Sequence, residues 1–500
     1  MRGWPWARFG AGALAGTGAL AITFILRVLG LGVFLPEVAL ESVITHIPGS
    51  IESFFIGSLG EGAKVLGLAT AVLAVLAAFG IGALFFRRVQ RRVPSRWAVI
   101  MVYTLGASAV ILLVAFPLLG VGFLGSSTDV GPSFAAFSQL VGTWIYAAVL
   151  DYLLVDFAAR HPEGLGLTRR QFLVGGALAI GAFALALYGL GSVISAPARL
   201  LFASVQDLFA KEVTPTDEFY VVTKNVIDPT VDPATWRLTI DGLVDTPLTF
   251  PLADLQAKMQ TEEYATMECV SNAVGGNLIG TAKWSGLRLV DLLTTAGVQP
   301  SADWVEFTCA DGYTVAIPLV KAMDPATLLV LDMNDAPLLG QHGAPARILV
   351  PGKYGMFSAK WVTGILVVQG EVRGFWQQKG WTNDGLIHVA AIIATPAANS
   401  VVSSPVTIGG VALSDAQGIS RVEVSTDGGA TWSEAQLYDP KDPKLTWRLW
   451  TFRWTPPGSG AYRIKARAYD GAGNAQDLST APPFPNGASG YDGITLYVSG

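Results

Sequence analysis

Five long apolar stretches near the start of the chain constrain its fold more than any other feature. They cover residues 10–34, 65–86, 97–124, 134–156 and 171–195 of a 500-residue sequence. Each stretch is long enough to cross a hydrocarbon layer of ~30 Å as a helix. Residues 1–196 are therefore predicted to form an all-α transmembrane bundle of about five spans in contact with membrane lipid.

The charged residues between these stretches orient the bundle. Arginines precede the first stretch, join the second to the third and join the fourth to the fifth, whereas acidic residues follow the first. Since positively charged loops stay in the cytoplasm, the N-terminus is predicted to lie inside the cell. Residues 197–500 are then expected on the extracytoplasmic side of an inner or plasma membrane, and the protein is expected to be multi-pass.

The fifth stretch is preceded by a pair of arginines. The sequence at the entry to this stretch is Thr168-Arg-Arg-Gln-Phe-Leu173, and the sequence at its end is Ser195-Ala-Pro-Ala198. This pattern resembles an internal twin-arginine export signal, which would carry the domain behind it across the membrane already folded. The alternative is an ordinary pair of cytoplasmic arginines. Cleavage after Ala198 is compatible with the sequence but is not required by it.

The composition excludes nucleic acid as a partner. Hydrophobic residues make up 51% of the chain and charged residues only 14%, which is typical of a membrane protein. The basic residues flank the apolar spans instead of forming a patch interleaved with aromatic side chains, as nucleic-acid binding requires.

The remaining chain is predicted to contain two domains after a linker at 197–216. Residues 217–387 mix short strands and helices, which indicates an α+β domain. From residue 388 short β runs recur between turn signals, which predicts an immunoglobulin-like β-sandwich at 388–500. Within that segment Ser425-Thr-Asp-Gly-Gly-Ala-Thr-Trp432 matches the Asp-box of sialidases. A single copy of the box predicts a structural hairpin turn and no sialidase propeller.

Two blocks of the α+β segment carry the residues suited to catalysis. The first is Met267-Glu-Cys-Val-Ser-Asn272, and the second is Gly-rich and holds His342, Arg347 and Lys360. A thiolate from Cys269 suits a soft metal, and clustered cations suit an anionic cofactor. Each residue alone has a plainer explanation, since Cys269 is equally compatible with a buried apolar side chain or a disulfide to Cys309.

Taken together, these blocks and their order resemble the sulfite oxidase family of molybdopterin enzymes. The resemblance covers about 215–500 and includes Leu278-Ile-Gly-Thr-Ala-Lys-Trp-Ser-Gly286. It implies a molybdenum-molybdopterin cofactor, two-electron oxygen-atom transfer, a catalytic domain at 217–387 and a C-terminal domain used for homodimerisation. It also implies that Cys269 is the catalytic residue and the protein ligand of molybdenum. The residues that would bind the cofactor are Phe219, Tyr220, Lys224, Asn225, Asp311, His342, Arg347, Ser358, Ala359 and Lys360.

Two departures from the family pattern bear on the substrate. Sulfite-oxidising relatives have arginines where Val222 and Ala273 stand in this sequence. The pocket is therefore expected to take a small substrate such as an S-oxide or N-oxide, unless Lys224 or Arg288 replaces the missing cations. The sequence has no Cys-x-x-Cys-His haem motif, so electrons are expected to be exchanged with a separate electron carrier or a quinone-linked partner. A sulfite dehydrogenase of the same family is the alternative. A non-catalytic membrane sensor or binding protein with a degenerate domain is the alternative from another class.

Overall fold

The backbone of the chain divides into two units in a computed structural model. The structure describes residues 5–51, 55, 62–93, 95–128, 130–157, 199–225 and 227–499. One unit comprises Met1–Ile47, Glu61–Ser195 and Lys224–Ile227. The other comprises Pro48–Gly60, Ala196–Thr223 and Asp228–Gly500.

The first unit is helical. Its α-helices are α1 Pro5–Val28, α2 Leu35–His46, α3 Gly62–Gln90, α4 Arg96–Val110, α5 Phe116–Leu118 and α6 Gly131–Asp151. Single π-helical segments follow α4 and α6, at Ile111–Ala115 and Tyr152–Phe157. A 3₁₀ turn lies at Phe123–Gly125.

Four helices among the described residues are long and apolar enough to cross a membrane. They are Trp6–Val28, Ala63–Gln90, Arg96–Leu118 and Gly131–Val155. The predicted fifth span at 171–195, together with Arg169 and Arg170 before it, lies outside the described residues. The number of spans and the export signal therefore stay predictions, whereas a membrane anchor built from the N-terminal helices fits the structure.

Two ion pairs lie within the described part of the helical unit. Arg27 Nε lies 2.8 Å from Glu37 Oε2, and the two side chains are only 14% and 4% exposed. Asp151 is ion-paired with Arg96. Pairing of this kind lowers the large free-energy cost of placing a charge within apolar surroundings. Asp151 thus has a structural partner, which accounts for a carboxylate near the end of α6.

The segment predicted as a linker is packed, at least in its described part from residue 199 to 216. Helix α7, Val205–Ala210, begins at Ser204, whose Oγ accepts a hydrogen bond from the Asp207 amide at 3.1 Å. That is a helix N-cap. Phe202 and Leu208 are buried in a core cluster that also includes C-terminal strand residues such as Ala394 and Val411. A helix of six residues is too short to produce a recognisable hydrophobic periodicity in the sequence, so it was not predicted.

The α+β domain contains two sheets and four short helices. The strands are β1 Arg237–Gly242, β2 Leu248–Pro251, β3 Thr261–Glu268, β4 Ile279–Arg288, β5 Trp304–Cys309, β6 Thr314–Pro318, β7 Leu328–Met333, β8 Ala336–Pro337, β9 Arg347–Leu349 and β10 Val362–Val368. The helices are α8 Leu252–Gln256, α9 Leu289–Ala296, α10 Leu319–Ala322 and α11 Phe375–Gln378. Two 3₁₀ turns lie at Gly340–His342 and Gly355–Phe357.

Strand order explains how distant parts of the sequence meet. One sheet has the order β2-β1-β10-β5-β6, with β1 and β10 parallel. The other has the order β3-β4-β7-β8, with β9 paired to β7. Strands β3 and β4 form an antiparallel hairpin in which Glu268 faces Ile279. The connection of this hairpin, residues 269–278, is called the cysteine loop below.

The C-terminal segment forms two further sheets. Its strands are β11 Ala390–Thr395, β12 Val401–Val402, β13 Val406–Leu413, β14 Ile419–Ser425, β15 Ser433–Glu434, β16 Gln436–Leu437, β17 Arg448–Trp454, β18 Gly460–Asp470 and β19 Asp492–Val498. They pair in the orders β11-β13-β17-β16 and β12-β19-β18-β14-β15. Residues from both sheets, including Ile408 and Ile464, share one buried core. The domain is therefore β-rich and two-layered, as expected, and its immunoglobulin-like class stays a prediction.

Candidate active site

The cysteine loop is held by its own backbone and by Asn272. The Cys269 amide donates to the Leu278 carbonyl at 2.9 Å, which closes the hairpin. Asn272 Oδ1 accepts from the Leu278 amide at 3.0 Å, and Asn272 Nδ2 donates to Glu268 Oε1 at 2.9 Å. A β-carbon built at Gly276 would lie 2.3 Å from Asn272 Oδ1. The spacing Cys-x-x-Asn thus places an amide that fixes the loop around the thiol.

The thiol itself lies in a buried, polar environment. Cys269 is 7% exposed, and its Sγ lies 3.0 Å from Ser271 Oγ. Burial raises the pKa of the neighbouring Glu268 carboxyl to about 7, against a smaller lowering by the Asn272 hydrogen bond. Cys309 is also a buried thiol, and the structure contains no disulfide between the two cysteines.

Aromatic rings form one wall of the site. Phe219 and Tyr220 stack with ring centroids 5.3 Å apart. Phe219 also makes edge-to-face contacts with Trp284 at 5.6 Å and with His342 at 5.8 Å. The segment that holds Phe219 and Tyr220 is thereby brought against the β3–β4 hairpin and the Gly-rich block.

Arg347 is the most buried cation of the site. Its Nη1 donates to the His342 carbonyl and its Nη2 to the Ser358 carbonyl, each at 3.1 Å. The guanidinium lies 5.1 Å from the centre of the Trp284 ring. Burial lowers the pKa of Arg347 to about 10, which leaves it charged at neutral pH.

Three further residues of the Gly-rich block lie around Arg347. The Ser358 hydroxyl accepts from the Val350 amide at 3.0 Å, and the carbonyl of buried Ala359 accepts from the Ile348 amide at 2.8 Å. Lys360 Nζ donates to the Gln341 carbonyl at 3.0 Å and lies 4.3 Å from the centre of the Trp361 ring.

His342 is buried and hydrogen-bonded to Thr216, three residues before Phe219. Its Nε2 lies 3.0 Å from the Thr216 carbonyl, which can only accept, so Nε2 carries the hydrogen. Burial lowers the pKa of His342, the Thr216 bond opposes this, and the charges of Arg347 and Lys360 lower it further. His342 is therefore a neutral imidazole with Nδ1 as its acceptor atom.

Asp311 shapes the β5–β6 turn and leads to a residue that the sequence reasoning missed. Asp311 Oδ1 accepts from the Tyr313 amide at 3.0 Å. The Tyr313 hydroxyl donates to the Met356 carbonyl at 2.6 Å. Burial raises the pKa of the Tyr313 phenol, and the charges of Cys309, Asp311 and Cys269 raise it further. Its phenol thus belongs to the surroundings of the Cys269 thiol. The one signal in the sequence was its position two residues after Asp311.

Two of the residues predicted to bind the cofactor belong to the helical unit and not to the unit that contains Cys269. Lys224 and Asn225 belong to the helical unit, where Lys224 Nζ donates to Asn225 Oδ1 at 2.9 Å.

Arg288, one of the two residues considered as a replacement cation, lies away from Cys269. It ends β4 at the opposite end of the strand from Ile279, which is roughly 30 Å along an extended chain. Its charge instead acts on Glu263. Arg288 is therefore not a replacement cation beside Cys269. Its position depends on the direction in which β4 runs away from the cysteine loop, which the spacing of residues in the sequence does not reveal.

The chemistry of these residues fits an anionic metal cofactor. Arg347 Nε and the Tyr220 hydroxyl are buried and have no hydrogen-bond partner among the described residues. Both are donors that a bound anion would satisfy. Within the same ranges, no group of three or more His, Cys, Asp or Glu could hold a metal ion. The dithiolene sulfurs of molybdopterin are soft donors of the kind that suits a metal bound at Cys269.

Comparison with known proteins decides the family. Residues 225–376 match the oxidoreductase molybdopterin binding domain, and residues 383–480 match the Mo-co oxidoreductase dimerisation domain. Sulfite oxidase of Gallus gallus is 30% identical over 325 residues, covering 55% of this chain and 71% of that protein. Sulfite oxidase of Arabidopsis thaliana is 30% identical over 329 residues, covering 54% of this chain and 83% of that protein.

The chain belongs to the sulfite oxidase family. It spans only 56% of the mitochondrial sulfite oxidase of Drosophila melanogaster, to which it is 32% identical. The sulfane dehydrogenase SoxCD from Paracoccus pantotrophus resembles it with a TM-score of 0.51 and 24% identity, covering 57% of this chain and 80% of that one. This second likeness concerns the fold alone. Family membership supplies the molybdenum-molybdopterin cofactor that the buried donors fit.

Proposed function

We propose that this protein is a membrane-anchored molybdopterin oxidoreductase that transfers an oxygen atom to or from a small neutral or singly charged substrate. An S-oxide or N-oxide is the expected substrate class. The observation that carries the proposal is the buried Tyr220 hydroxyl, which lies within electrostatic reach of both Cys269 and Arg347. This hydroxyl and Arg347 Nε are two donors without a partner among the described residues. The four apolar N-terminal helices support the anchor.

The protein's own residues have separate tasks in this proposal. Bound molybdenum would supply two-electron oxygen-atom transfer, with Cys269 as its protein ligand. Arg347 and Tyr220 would donate to the anionic part of the cofactor from positions that exclude water. Lys360 would add a second positive charge at the exposed edge. Neutral His342 and the stacked ring of Phe219 would fix the wall against which the cofactor lies.

The substrate class follows from charge. Val222 and Ala273 carry no charge where sulfite-oxidising relatives are expected to have arginines. Arg288 lies at the far end of β4 and offers no compensation at Cys269. An unpaired dianion beside a buried thiolate would be strongly disfavoured. A neutral oxide avoids that penalty.

Sulfite oxidation is the second candidate, because the curated relatives carry the name sulfite oxidase. The two candidates differ in the direction of electron flow and in the charge of the substrate. The full-length protein should be purified in detergent and analysed for molybdenum and pterin. It should then be assayed with sulfoxides and N-oxides against a reduced viologen, and with sulfite against ferricyanide.

The expected result is molybdenum near one atom per chain and turnover of neutral oxides. Rapid sulfite oxidation at micromolar substrate would establish the second candidate. A double substitution, Val222→Arg with Ala273→Arg, supplies the matched comparison, because it restores the two charges without touching Cys269. It should raise sulfite turnover and lower turnover of neutral oxides.

The surroundings of the enzyme are part of the same proposal. The catalytic domain is placed on the extracytoplasmic side, and electrons are exchanged with a separate carrier or a quinone-linked partner. The match of residues 383–480 to a dimerisation domain supports a homodimer. Protease added to spheroplasts should cleave the exported domain, and replacing Arg169 and Arg170 with Lys should protect it if they form a twin-arginine signal.

A further inference from the structure

An ion pair with a buried carboxylate joins Arg199, before helix α7, to the last strand, β19. Arg199 Nη2 lies 2.6 Å from Asp492 Oδ2, and the two side chains are 32% and 2% exposed. Asp492 Oδ2 also accepts from the Ile393 amide at 2.8 Å, and Arg199 Nη2 contacts the Ile393 carbonyl at 3.4 Å. Arg199, Ile393 and Asp492, which are far apart in the sequence, are thus held together by these contacts.

The cysteine loop passes directly against this pair. The Leu200 amide donates to the Gly275 carbonyl at 3.1 Å, and Arg199 forms an antiparallel bridge with Gly276. A β-carbon built at Gly275 would lie 2.6 Å from Asp492 Oδ1 and 2.7 Å from Arg199 Nη1. Gly275 also has φ +74°, a conformation that glycine adopts without strain. The sequence at 275 is therefore set by contact with the ion pair.

The same loop carries the thiol at its other end. Asn272 bonds the Leu278 amide and the Glu268 carboxyl from inside the loop, as described above. The loop therefore has two fixings, an internal one at Asn272 and an external one at Arg199 and Asp492. A loop held from both sides restricts the position of Cys269, and catalytic geometry is sensitive to shifts of this kind.

We infer that the Arg199–Asp492 ion pair is a positioning element that holds the cysteine loop, and with it the proposed metal ligand Cys269, in one geometry. The expected effect on catalysis rests on the proposed function. The expected effect on the conformation of the loop does not. It also implies that the loop is completed only when the C-terminal domain has folded, because Asp492 and Ile393 belong to strands of that domain.

The test uses the full-length protein in detergent and the variants Arg199→Gln and Asp492→Asn. Amide hydrogen exchange of residues 270–277 should become faster by about tenfold or more in each variant, because a local opening that the pair suppresses becomes accessible. Molybdenum should be lost faster on dilution, and kcat should fall while KM changes little. Arg199→Lys keeps the charge and one donor, so its loop exchange should lie between wild type and Arg199→Gln.

The matched control is Arg467→Gln, which breaks a similar pair between β14 and β18. Arg467 Nη2 lies 2.6 Å from Glu423 Oε2, with side chains 24% and 16% exposed. This variant should lower the unfolding temperature without changing exchange in 270–277. The double variant Arg199→Gln/Asp492→Asn should exchange no faster than the faster single variant, since both remove the same interaction.

Two results would overturn the inference. Loop exchange equal to that of Arg467→Gln would leave the pair as a general stabiliser, and additive effects of the two single variants would show that they act separately. Absence of molybdenum or of activity in the wild type would count against the proposed function instead. The exchange measurement would still decide on the loop, because it needs no cofactor.

Discussion

Two turns of this protein, the Asp-box and the cysteine loop with Glu268 directly before it, each involve an acidic side chain bonded to its neighbours, and the hydrogen bonding around them differs. In the Asp-box, Asp427 Oδ1 accepts from the Ala430 and Thr431 amides at 2.9 Å and from Ser425 Oγ at 2.7 Å. The Thr431 hydroxyl and amide are the main reasons that the pKa of Asp427 is lowered. Both oxygens of this carboxylate accept hydrogen bonds inside the turn, Oδ2 from the Thr431 hydroxyl at 2.5 Å.

The surroundings of the cysteine loop, by contrast, contain buried polar groups that lack hydrogen-bond partners among the described residues. Glu268 accepts one side-chain bond, from Asn272, and burial raises its pKa to about 7. Nearby, the Tyr220 hydroxyl and Arg347 Nε have no partner among the described residues. When the hydrogen bonds of a turn are all made within it, the turn has a structural role. An open, buried set indicates that something else completes it.

The largest effect is expected from removing the Cys269 thiol from the cysteine loop. Cys269→Ser should lower oxygen-atom transfer by more than about 100-fold, because the metal would lose its soft protein ligand. The paramagnetic resonance signal of the metal should change with it. Cys309→Ser is the matched control and should leave both measurements near wild type. Equal loss in the two variants would contradict the assignment of Cys269.

The next effect tests whether the open donors belong to a cofactor. Arg347→Met should weaken cofactor retention by roughly ten- to a hundredfold, since hydrogen bonds to charged groups contribute about 1.5–3 kcal/mol. Without cofactor the variant should be as stable as the wild type or more so, because a buried charge has been removed. Dialysis with metal analysis, together with thermal unfolding of cofactor-free protein, measures both. Reduced stability of the cofactor-free variant would make Arg347 a structural residue.

Sequence and structure agree most closely where a motif is local. The Cys-x-x-Asn spacing, the Asp-box turn and the four described apolar helices were all readable from the chain, because each depends on neighbouring residues. Arg199 and Tyr313 were not readable, since their roles arise from strand pairing and from contacts with residues such as Asp492 and Met356. Arg288 shows the same limit in reverse. It looked close to the site in sequence and lies at the other end of its strand.

A third prediction compares the two carboxyl groups through pH. The raised pKa of Glu268 means that the folded protein keeps a proton between about pH 4.5 and pH 7 that the unfolded chain has released. The free energy of unfolding should therefore fall as pH rises through that window, by an amount on the order of 3 kcal/mol. Glu268→Gln should flatten this part of the profile in cofactor-free protein, followed by denaturant unfolding from pH 5 to pH 8. A profile unchanged by the substitution would mean that Glu268 is ionised in the folded protein.

The smallest effect belongs to the Asp-box. The pKa of Asp427 is lowered in the folded protein, so its contribution to stability is present above the unfolded-state pKa near 4 and is lost as pH falls further. Asp427→Asn should lower the unfolding temperature slightly at neutral pH and remove that acid-side loss. Metal content and turnover should stay at wild-type values, because Gly428 and Gly429 still supply the turn conformation far from Cys269 in sequence. Parallel unfolding curves at pH 3 and pH 7, with an activity assay, check both halves. Loss of activity in Asp427→Asn would show that the Asp-box does more than form a turn, and the contrast between the two loops would then fail.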